Sequence, residues 1–206
     1  MPRILRLTAL LLVVTSIPSA PQTSSSKTKH PEQHDSRDKT PPTSAETLYR
    51  NPEFAFAYKI PYAWVDRTQQ MQDDSSDPAK SRLLLAVFER PPEAIGDTVN
   101  SAVVITAESS ASYPGLKTAA DYLGPLTELT TSKGFKSAAD PSEIEIGSTP
   151  LVRADFAKDL GRLTMRQTSL VLLRKKFVLS FTFIADSEDQ IDELIERLSL
   201  NSTKPQ

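Results

Sequence analysis

The sequence predicts one α+β domain in which helices pack against an antiparallel β-sheet. Two features indicate this class. Apolar segments of strand length occur in two groups, and each group is followed by a helical pattern. The last two strands are joined by Arg174-Lys175-Lys176, a connection of hairpin length. We expect the domain to occupy residues 46–200, which is a normal length for one domain.

Six segments are predicted to be strands. Residues 54–60 alternate aromatic and small side chains with the period of two that a half-buried strand shows. Residues 83–89 form a nearly continuous apolar run, which is typical of a strand buried on both faces. Residues 68–81, between these two segments, are polar and acidic and are predicted to form a loop. The other predicted strands are residues 101–108, 151–156, 163–173 and 177–184.

Two segments are predicted to be helices. In residues 187–199, Ser187 and Gln190 have the spacing of a capping box. The apolar residues of this helix form one stripe: Ile191, Leu194, Ile195 and Leu198. The other helix lies within residues 117–131, with Leu116, Ala120 and Leu123 on one side, and Gly124-Pro125 predicts a kink or a break in it.

The N-terminal residues predict export. Residues 1–20 combine a basic start, an apolar run at 7–17 and a small-residue end, which are the parts of a secretory signal peptide. Residues 21–45 contain no Leu, Ile, Val, Phe, Met, Trp or Tyr, so they are predicted to be a disordered linker. Residues 201–206 are predicted to be a frayed tail. We therefore expect a periplasmic or extracellular protein, and membrane contact is expected only through the N-terminal segment. The alternative is a domain held at the membrane by an uncleaved N-terminal anchor.

The composition excludes several kinds of chemistry from the predicted domain. The chain has no cysteine, and its two histidines, His30 and His34, both lie in the linker. Ser-His-Asp triads, Cys-His pairs and histidine zinc sites are therefore excluded from residues 46–200. No glycine-rich phosphate loop is present, and we predict no cofactor and no metal.

The charge balance argues against nucleic-acid binding. The chain has 24 basic and 26 acidic residues, and loss of Arg3 and Arg6 with the signal peptide leaves 22 and 26, a net charge of −4. A nucleic-acid-binding protein would need a basic face. The basic group Arg174-Lys175-Lys176 is open to two interpretations: contact with an anionic lipid surface or acidic partner, or protection of a hairpin tip from aggregation.

The candidate binding residues are charged and aromatic. Arg153 and Asp155 alternate with apolar residues and so share one face of a predicted strand, and Arg166 lies on the next strand. We expect these three residues to line a polar groove on the face of the sheet away from the helices. The alternative is a solvated sheet face with cross-strand ion pairs. Tyr62 and Trp64 follow the first strand, and Trp64 is predicted to fold back over the end of the core beside Tyr62. The alternative is that Tyr62 and Trp64 are rim residues of a pocket.

The chain also resembles the PsbP-like family. The resemblance lies in Tyr49-Arg50-Asn51, a Phe-containing strand that runs into Pro-x-x-Trp at Pro61 to Trp64, Asp121-Tyr122-Leu123, a late hairpin and a C-terminal amphipathic helix. It implies an α-β-α sandwich around an antiparallel sheet, so that helices cover part of both sheet faces. It also implies an exported accessory or assembly factor and not an enzyme, although the anchoring cysteine of many relatives is missing. No binding residue is carried over from the family.

These observations together predict an exported, non-catalytic binding or accessory protein of the cell envelope. Its partner would be an unidentified protein or small ligand. The alternative is an enzyme that uses a carboxylate or a tyrosine, which would require a deep pocket holding an acid with a shifted pKa.

Overall fold

The computed structural model describes residues 47–73 and 80–200. The predicted signal peptide, the linker with His30 and His34, and the C-terminal tail lie outside these residues. No helix in the described segments is both long enough and apolar enough to cross a membrane.

The described residues form eleven strands and three α-helices. The helices are α1 (Thr68–Asp73), α2 (Leu123–Ser132) and α3 (Glu188–Glu196). The strands are β1 (Thr47–Asn51), β2 (Phe56–Ile60), β3 (Val65–Asp66), β4 (Ser81–Phe88), β5 (Ala102–Ser109), β6 (Lys136–Ser137), β7 (Ser142–Ile146), β8 (Thr149–Asp159), β9 (Thr164–Arg174), β10 (Phe177–Ala185) and β11 (Leu198–Leu200).

The strands form two antiparallel sheets. The main sheet has the order β3-β4-β5-β10-β9-β8-β6, and β7 also pairs with β8. The small sheet has the order β1-β2-β11. Most neighbours in the main sheet are consecutive strands, but β5 pairs with β10 and β6 pairs with β8. The hairpin of β9 and β10 is joined by Lys175 and Lys176. Both turn residues have positive φ, as a two-residue hairpin of this kind requires.

Helices cover both faces of the main sheet. On one face, the small sheet and α3 enclose the largest core, which includes Phe56, Phe181, Phe183 and Ile191. On the other face, α2 and the turn before it pack Tyr122 and Leu126 on β8, β9 and β10, and Met71 of α1 packs near β4 and β5. This arrangement confirms the predicted α+β class with an antiparallel sheet and packed helices.

The C-terminal helix begins as predicted and ends earlier. The Ser187 side chain accepts a hydrogen bond from the Gln190 backbone N–H at 3.3 Å, and Ile191 and Leu194 are buried. The helix ends at Glu196, and Leu198 lies in β11, which pairs with β2. The prediction that the helix continues to residue 199 was therefore wrong. Leu198 and Leu200 are buried with exposed Ser199 between them, so this segment has the period of a strand.

Two other local predictions were wrong. Residues 68–73 form α1 and not a loop, because the Asp66 carboxylate accepts a hydrogen bond from the Thr68 N–H at 2.8 Å and Met71 packs on the sheet. In α2, Gly124 and Pro125 do not break the helix, which begins at Leu123 directly after a 3₁₀ turn at Ala120–Tyr122. Pro125 thus occupies the first turn, where a backbone N–H has no partner within the helix.

Candidate functional site

A small groove lies between α3 and the neighbouring strands β8 and β9. It has a volume of about 140 Å³. Its walls carry two arginines and two carboxylates beside small and apolar side chains, so it is mixed in charge. The lining residues are Ala138, Ala139, Arg153, Asp155, Phe156, Arg166, Gln167, Thr168, Glu188 and Ile191.

The pairing of β8 with β9 brings the charged residues of these strands together. Asp155 lies opposite Thr168, and Ala157 lies opposite Arg166. Residues two apart on a strand share a face, so Arg153, Asp155, Thr168 and Arg166 all point to the same side of the sheet. Leu170 continues this face into the large core. The groove therefore forms where the apolar face of β9 gives way to polar residues.

The inner part of the groove is a hydrogen-bonded ion pair. The Arg153 Nε lies 3.0 Å from Asp155 Oδ1 and 2.9 Å from Asp155 Oδ2, and Thr168 Oγ1 donates to Asp155 Oδ1 at 2.5 Å. Arg153 also donates through Nη1 to Asp192 of α3 at 3.2 Å. Burial alone would lower the pKa of Arg153, but Asp155 and then Asp192 outweigh this effect and raise it. This pair is therefore a fixed part of the groove.

The outer part of the groove is a more exposed ion pair. Arg166 Nη1 lies 2.7 Å from Glu188 Oε1, and the Glu188 side chain is 72% exposed. Exposed pairs of this kind contribute less than about 1 kcal/mol, because water competes for both charges. Glu188 is therefore able to exchange Arg166 for another partner at little cost.

The structure brings together three of the five residues predicted for the site. Arg153, Asp155 and Arg166 line the same groove. The face predicted for them was wrong, because α3 covers this side of the sheet and both arginines pair with its carboxylates. Strand alternation shows which residues share a face, but it does not show which face a later helix will cover.

Tyr62 and Trp64 lie elsewhere. Both precede β3, an edge strand of the main sheet that is four strand positions from β9, roughly 19 Å at the usual strand spacing. Tyr62 is 68% exposed in a turn, and Trp64 is partly buried against the large core. The structure therefore does not place them at the groove.

The basic hairpin tip serves a contact within the domain. Arg174 Nη1 donates to the Phe54 carbonyl at 2.7 Å, and Lys175 Nζ donates to the Glu53 carbonyl at 2.7 Å. Arg82 forms two hydrogen bonds with the Glu53 carboxylate, at 2.9 and 3.1 Å. These cations hold the turn between β1 and β2 against the main sheet, so Arg174 and Lys175 have a structural role.

A tyrosine–glutamate cluster on the opposite face was not predicted. Tyr122 donates from its hydroxyl to Glu108 Oε1 at 3.0 Å, and Tyr113 donates to Glu108 Oε2. Burial, followed by the Glu108 charge, raises the pKa of both phenols above the ordinary range. Both hydroxyls therefore stay protonated and act as donors. The only sequence signal was Asp121-Tyr122-Leu123, and nothing in the sequence pointed to Glu108.

Among the described residues, two carboxyl groups have a pKa that is shifted from its ordinary value, and in both the pKa is lowered. The pKa of Glu53 is lowered mainly by its hydrogen bond with Arg82, and the pKa of Asp121 by the backbone N–H groups of Lys117 and Thr118. Neither residue lines the groove. The described segments contain no group of acidic or histidine side chains that is arranged to hold a metal ion.

Solved structures with a similar fold come from several organisms. Cyanobacterial PsbP from Synechocystis is 10% identical, with a TM-score of 0.50, and the match covers 81% of this chain and 98% of that protein. The yeast Ran-binding protein Mog1p is 9% identical, with a TM-score of 0.46, over 77% of this chain and 96% of Mog1p. LpqN of Mycobacterium tuberculosis, described as involved in cell envelope biogenesis, is 15% identical, with a TM-score of 0.43, over 77% and 91% of the two chains.

Similarity at this level of identity concerns the fold alone. No protein-family model and no curated protein sequence matches the chain. The match to cyanobacterial PsbP extends over nearly the whole of that protein. The resemblance seen in the sequence is thus confirmed for the fold: this chain has a PsbP-like α+β fold.

Proposed function

We propose that this chain is an exported, non-catalytic binding protein whose partner docks at the groove between α3 and strands β8 and β9. The observation that carries the proposal is the mixed-charge groove itself. Arg153 and Asp155 are fixed by mutual hydrogen bonds, whereas Arg166 and Glu188 form an exposed pair at the outer side. A fixed inner pair with an exchangeable outer pair is suited to recognition.

The size of the groove favours a protein partner over an enclosed metabolite. Pockets for small organic ligands usually have about 300–1,000 Å³. The groove has about 140 Å³, which is room for one side chain of a partner. The rest of the contact would then lie on the surrounding surface of α3 and the segment at Ala138 and Ala139.

The chemistry of the groove favours binding over catalysis. A general acid or base needs a pKa near the working pH and a free path to its substrate. Asp155 accepts three hydrogen bonds from Arg153 and Thr168, so its lone pairs are largely occupied. The tyrosines with raised pKa values, Tyr113 and Tyr122, are bound to Glu108 on the other face.

The N-terminal sequence supports export. Residues 1–20 have the parts of a signal peptide, and the polar linker at 21–45 would let the domain reach a partner in the envelope. Mass spectrometry of the protein from its native cells tests this directly. We expect a mature chain that starts at Pro21, and a chain that starts at Met1 would contradict release.

Site-specific photo-crosslinking tests the docking site. A photo-reactive amino acid at position 139, in the lining of the groove, is compared in the full chain with the same amino acid at position 128. Glu128 is exposed on α2, on the opposite face of the sheet. We expect a discrete adduct from position 139 only. Equal adducts from both positions, or an adduct from position 128 alone, would refute docking at the groove.

A further inference from the structure

We propose that the ligand of the groove is a basic side chain, lysine or arginine, of the partner protein. This inference rests on the binding function proposed above and adds the chemistry of the ligand. The charged groups in and beside the groove are two arginines, Arg153 and Arg166, and three carboxylates, Asp155, Glu188 and Asp192. Their sum is one negative charge, so the site as a whole attracts a cation.

Two of these carboxylates have acceptor capacity left. Glu188 contacts Arg166 through Oε1, and Asp192 contacts Arg153 through Oδ1. Within the described residues, the second oxygen of each carboxylate has no such partner. The two residues are four positions apart in α3 and therefore lie on the same side of the helix. The arginines orient both carboxylates, and a second cation can bind without displacing either arginine.

The surroundings of the groove strengthen this preference. Asp186, Asp189 and Glu193 are exposed in or next to α3, and residues 186–196 contain no lysine or arginine. Exposed charges act over about one Debye length, roughly 8 Å at physiological salt, so these carboxylates contribute to the potential at the groove. An anionic ligand would have to approach this negative surface, whereas a cation is attracted to it.

The shape of the groove suits a long basic side chain. Ala138 and Ala139 are exposed and give the lining its apolar surface, and the buried Ile191 of α3 lies behind them in the same lining. The Ala138 N–H donates to the Asp155 carbonyl at 2.8 Å, which fixes this segment to β8. Lysine and arginine bury their aliphatic stems along apolar surface while the charged end stays with polar groups. A stem along this surface would place its cation near Glu188 and Asp192.

A peptide titration of the full chain tests the inference. The probe is acetyl-Gly-Arg-Gly-amide, and the matched controls carry citrulline, an uncharged analogue of arginine, or glutamate in place of arginine. The readout is the set of backbone amide NMR shifts, followed at Ala138, Ala139 and Ile191. We expect saturable shifts at these positions with the arginine peptide at millimolar concentration and much smaller shifts with either control.

Variants of the groove make the test specific. Glu188→Gln should weaken binding of the arginine peptide by about 1.5- to fivefold, the range of one exposed charge pair. Arg166→Gln should strengthen binding, because it releases Glu188 from its internal partner. Glu193→Gln removes the same charge from an exposed position on the same helix outside the lining, and should have a smaller effect.

The outcomes separate this inference from the proposed function. If the glutamate peptide shifts the groove residues and Arg166→Gln abolishes its binding, docking at the groove stands and a basic ligand is refuted. If Glu193→Gln weakens binding as much as Glu188→Gln, the attraction is diffuse and the inference fails. The inference also fails if the arginine peptide shifts none of the groove residues, while the crosslink from position 139 judges the docking site independently.

Discussion

Tyr58 of β2 donates a hydrogen bond from its hydroxyl to the carbonyl of Leu194 in α3 at 3.1 Å, although the two residues are 136 positions apart in the chain. Leu194 belongs to the last turn of α3, where the carbonyls have no partner within the helix. The hydroxyl therefore completes the end of the helix and joins it to the small sheet. Burial, as the largest cause, raises the pKa of Tyr58 above its ordinary range, so it remains a donor.

Tyr58→Phe should lower the free energy of unfolding by about 1–3 kcal/mol, because the buried Leu194 carbonyl loses this donor. Tyr62→Phe is the matched control, since Tyr62 is 68% exposed. It should change the free energy by less than about 0.5 kcal/mol. Urea unfolding measures both values. Equal small effects would show that the Tyr58 hydroxyl does not stabilise the contact between β2 and α3.

The tyrosine–glutamate cluster predicts a loss of stability at alkaline pH. Tyr122 has a folded pKa raised above the ordinary value of 10.0, chiefly by burial and then by the Glu108 charge. Its contribution is fully present below that ordinary value and is lost as the pH rises towards the folded value. Stability should therefore fall as the pH rises above about 10.

Tyr122→Phe should reduce this alkaline dependence, because a phenylalanine has no proton to release on unfolding. Urea unfolding at a series of pH values above neutral provides the measurement, and Tyr62→Phe is again the control. An unchanged slope of stability against pH in Tyr122→Phe would contradict this account. It would mean that the raised pKa of Tyr122 does not cause the loss of stability at alkaline pH.

Trp64 contributes to stability and lies away from the groove. Its side chain is partly buried against the large core, so Trp64→Ala should cost about 1–3 kcal/mol, less than the 3–5 kcal/mol typical of a fully buried aromatic residue. Partner binding should not change. Thermal unfolding measures the loss of stability, and the crosslink from position 139 measures partner binding. Loss of the crosslink with unchanged stability would place Trp64 in the binding surface.

The two ion pairs of the groove should differ in their effect on stability. Asp155→Asn removes a charge that accepts three hydrogen bonds and leaves Arg153 half-paired, which should cost about 1–3 kcal/mol. Glu188→Gln breaks only the exposed pair with Arg166 and should cost less than about 1 kcal/mol. Equal costs in denaturant unfolding would contradict the division into a fixed inner pair and an exchangeable outer pair.

The long elements of the fold were predictable because their patterns are local. Strands β8, β9 and β10 are each nine or more residues long. Strands of this length contain enough apolar residues for a strand pattern to be recognised in the sequence. The Ser187 cap of α3 depends on a hydrogen bond from the backbone N–H of Gln190, which is only three residues further along the chain. The short strands β3 and β6 have two residues each, and their pairing depends on neighbours that are distant in sequence.

The candidate site was predictable in its strand residues and not in its helix residues. Alternation placed Arg153 and Asp155 on one face, and the neighbouring strand placed Arg166 near them. Glu188 lines the groove and Asp192 pairs with Arg153 beside it because α3 packs on β9 and β10, with Ile191 and Leu194 buried in the large core. Trp64 lies away from the groove because the strand order places β3 four positions from β9.

Binding of the partner to chains with a filled groove tests the central claim most directly. Ala139→Trp places a large side chain in the lining of the groove, and Glu128→Trp places the same side chain at an exposed position on the opposite face. Both variants are made in the full chain and checked for unchanged thermal unfolding. The partner identified by the crosslink from position 139 is then measured in co-purification with each chain. We expect Ala139→Trp to lose the partner and Glu128→Trp to keep it. Retention of the partner by Ala139→Trp at the level of the unaltered chain would contradict the proposal that the groove is the docking site.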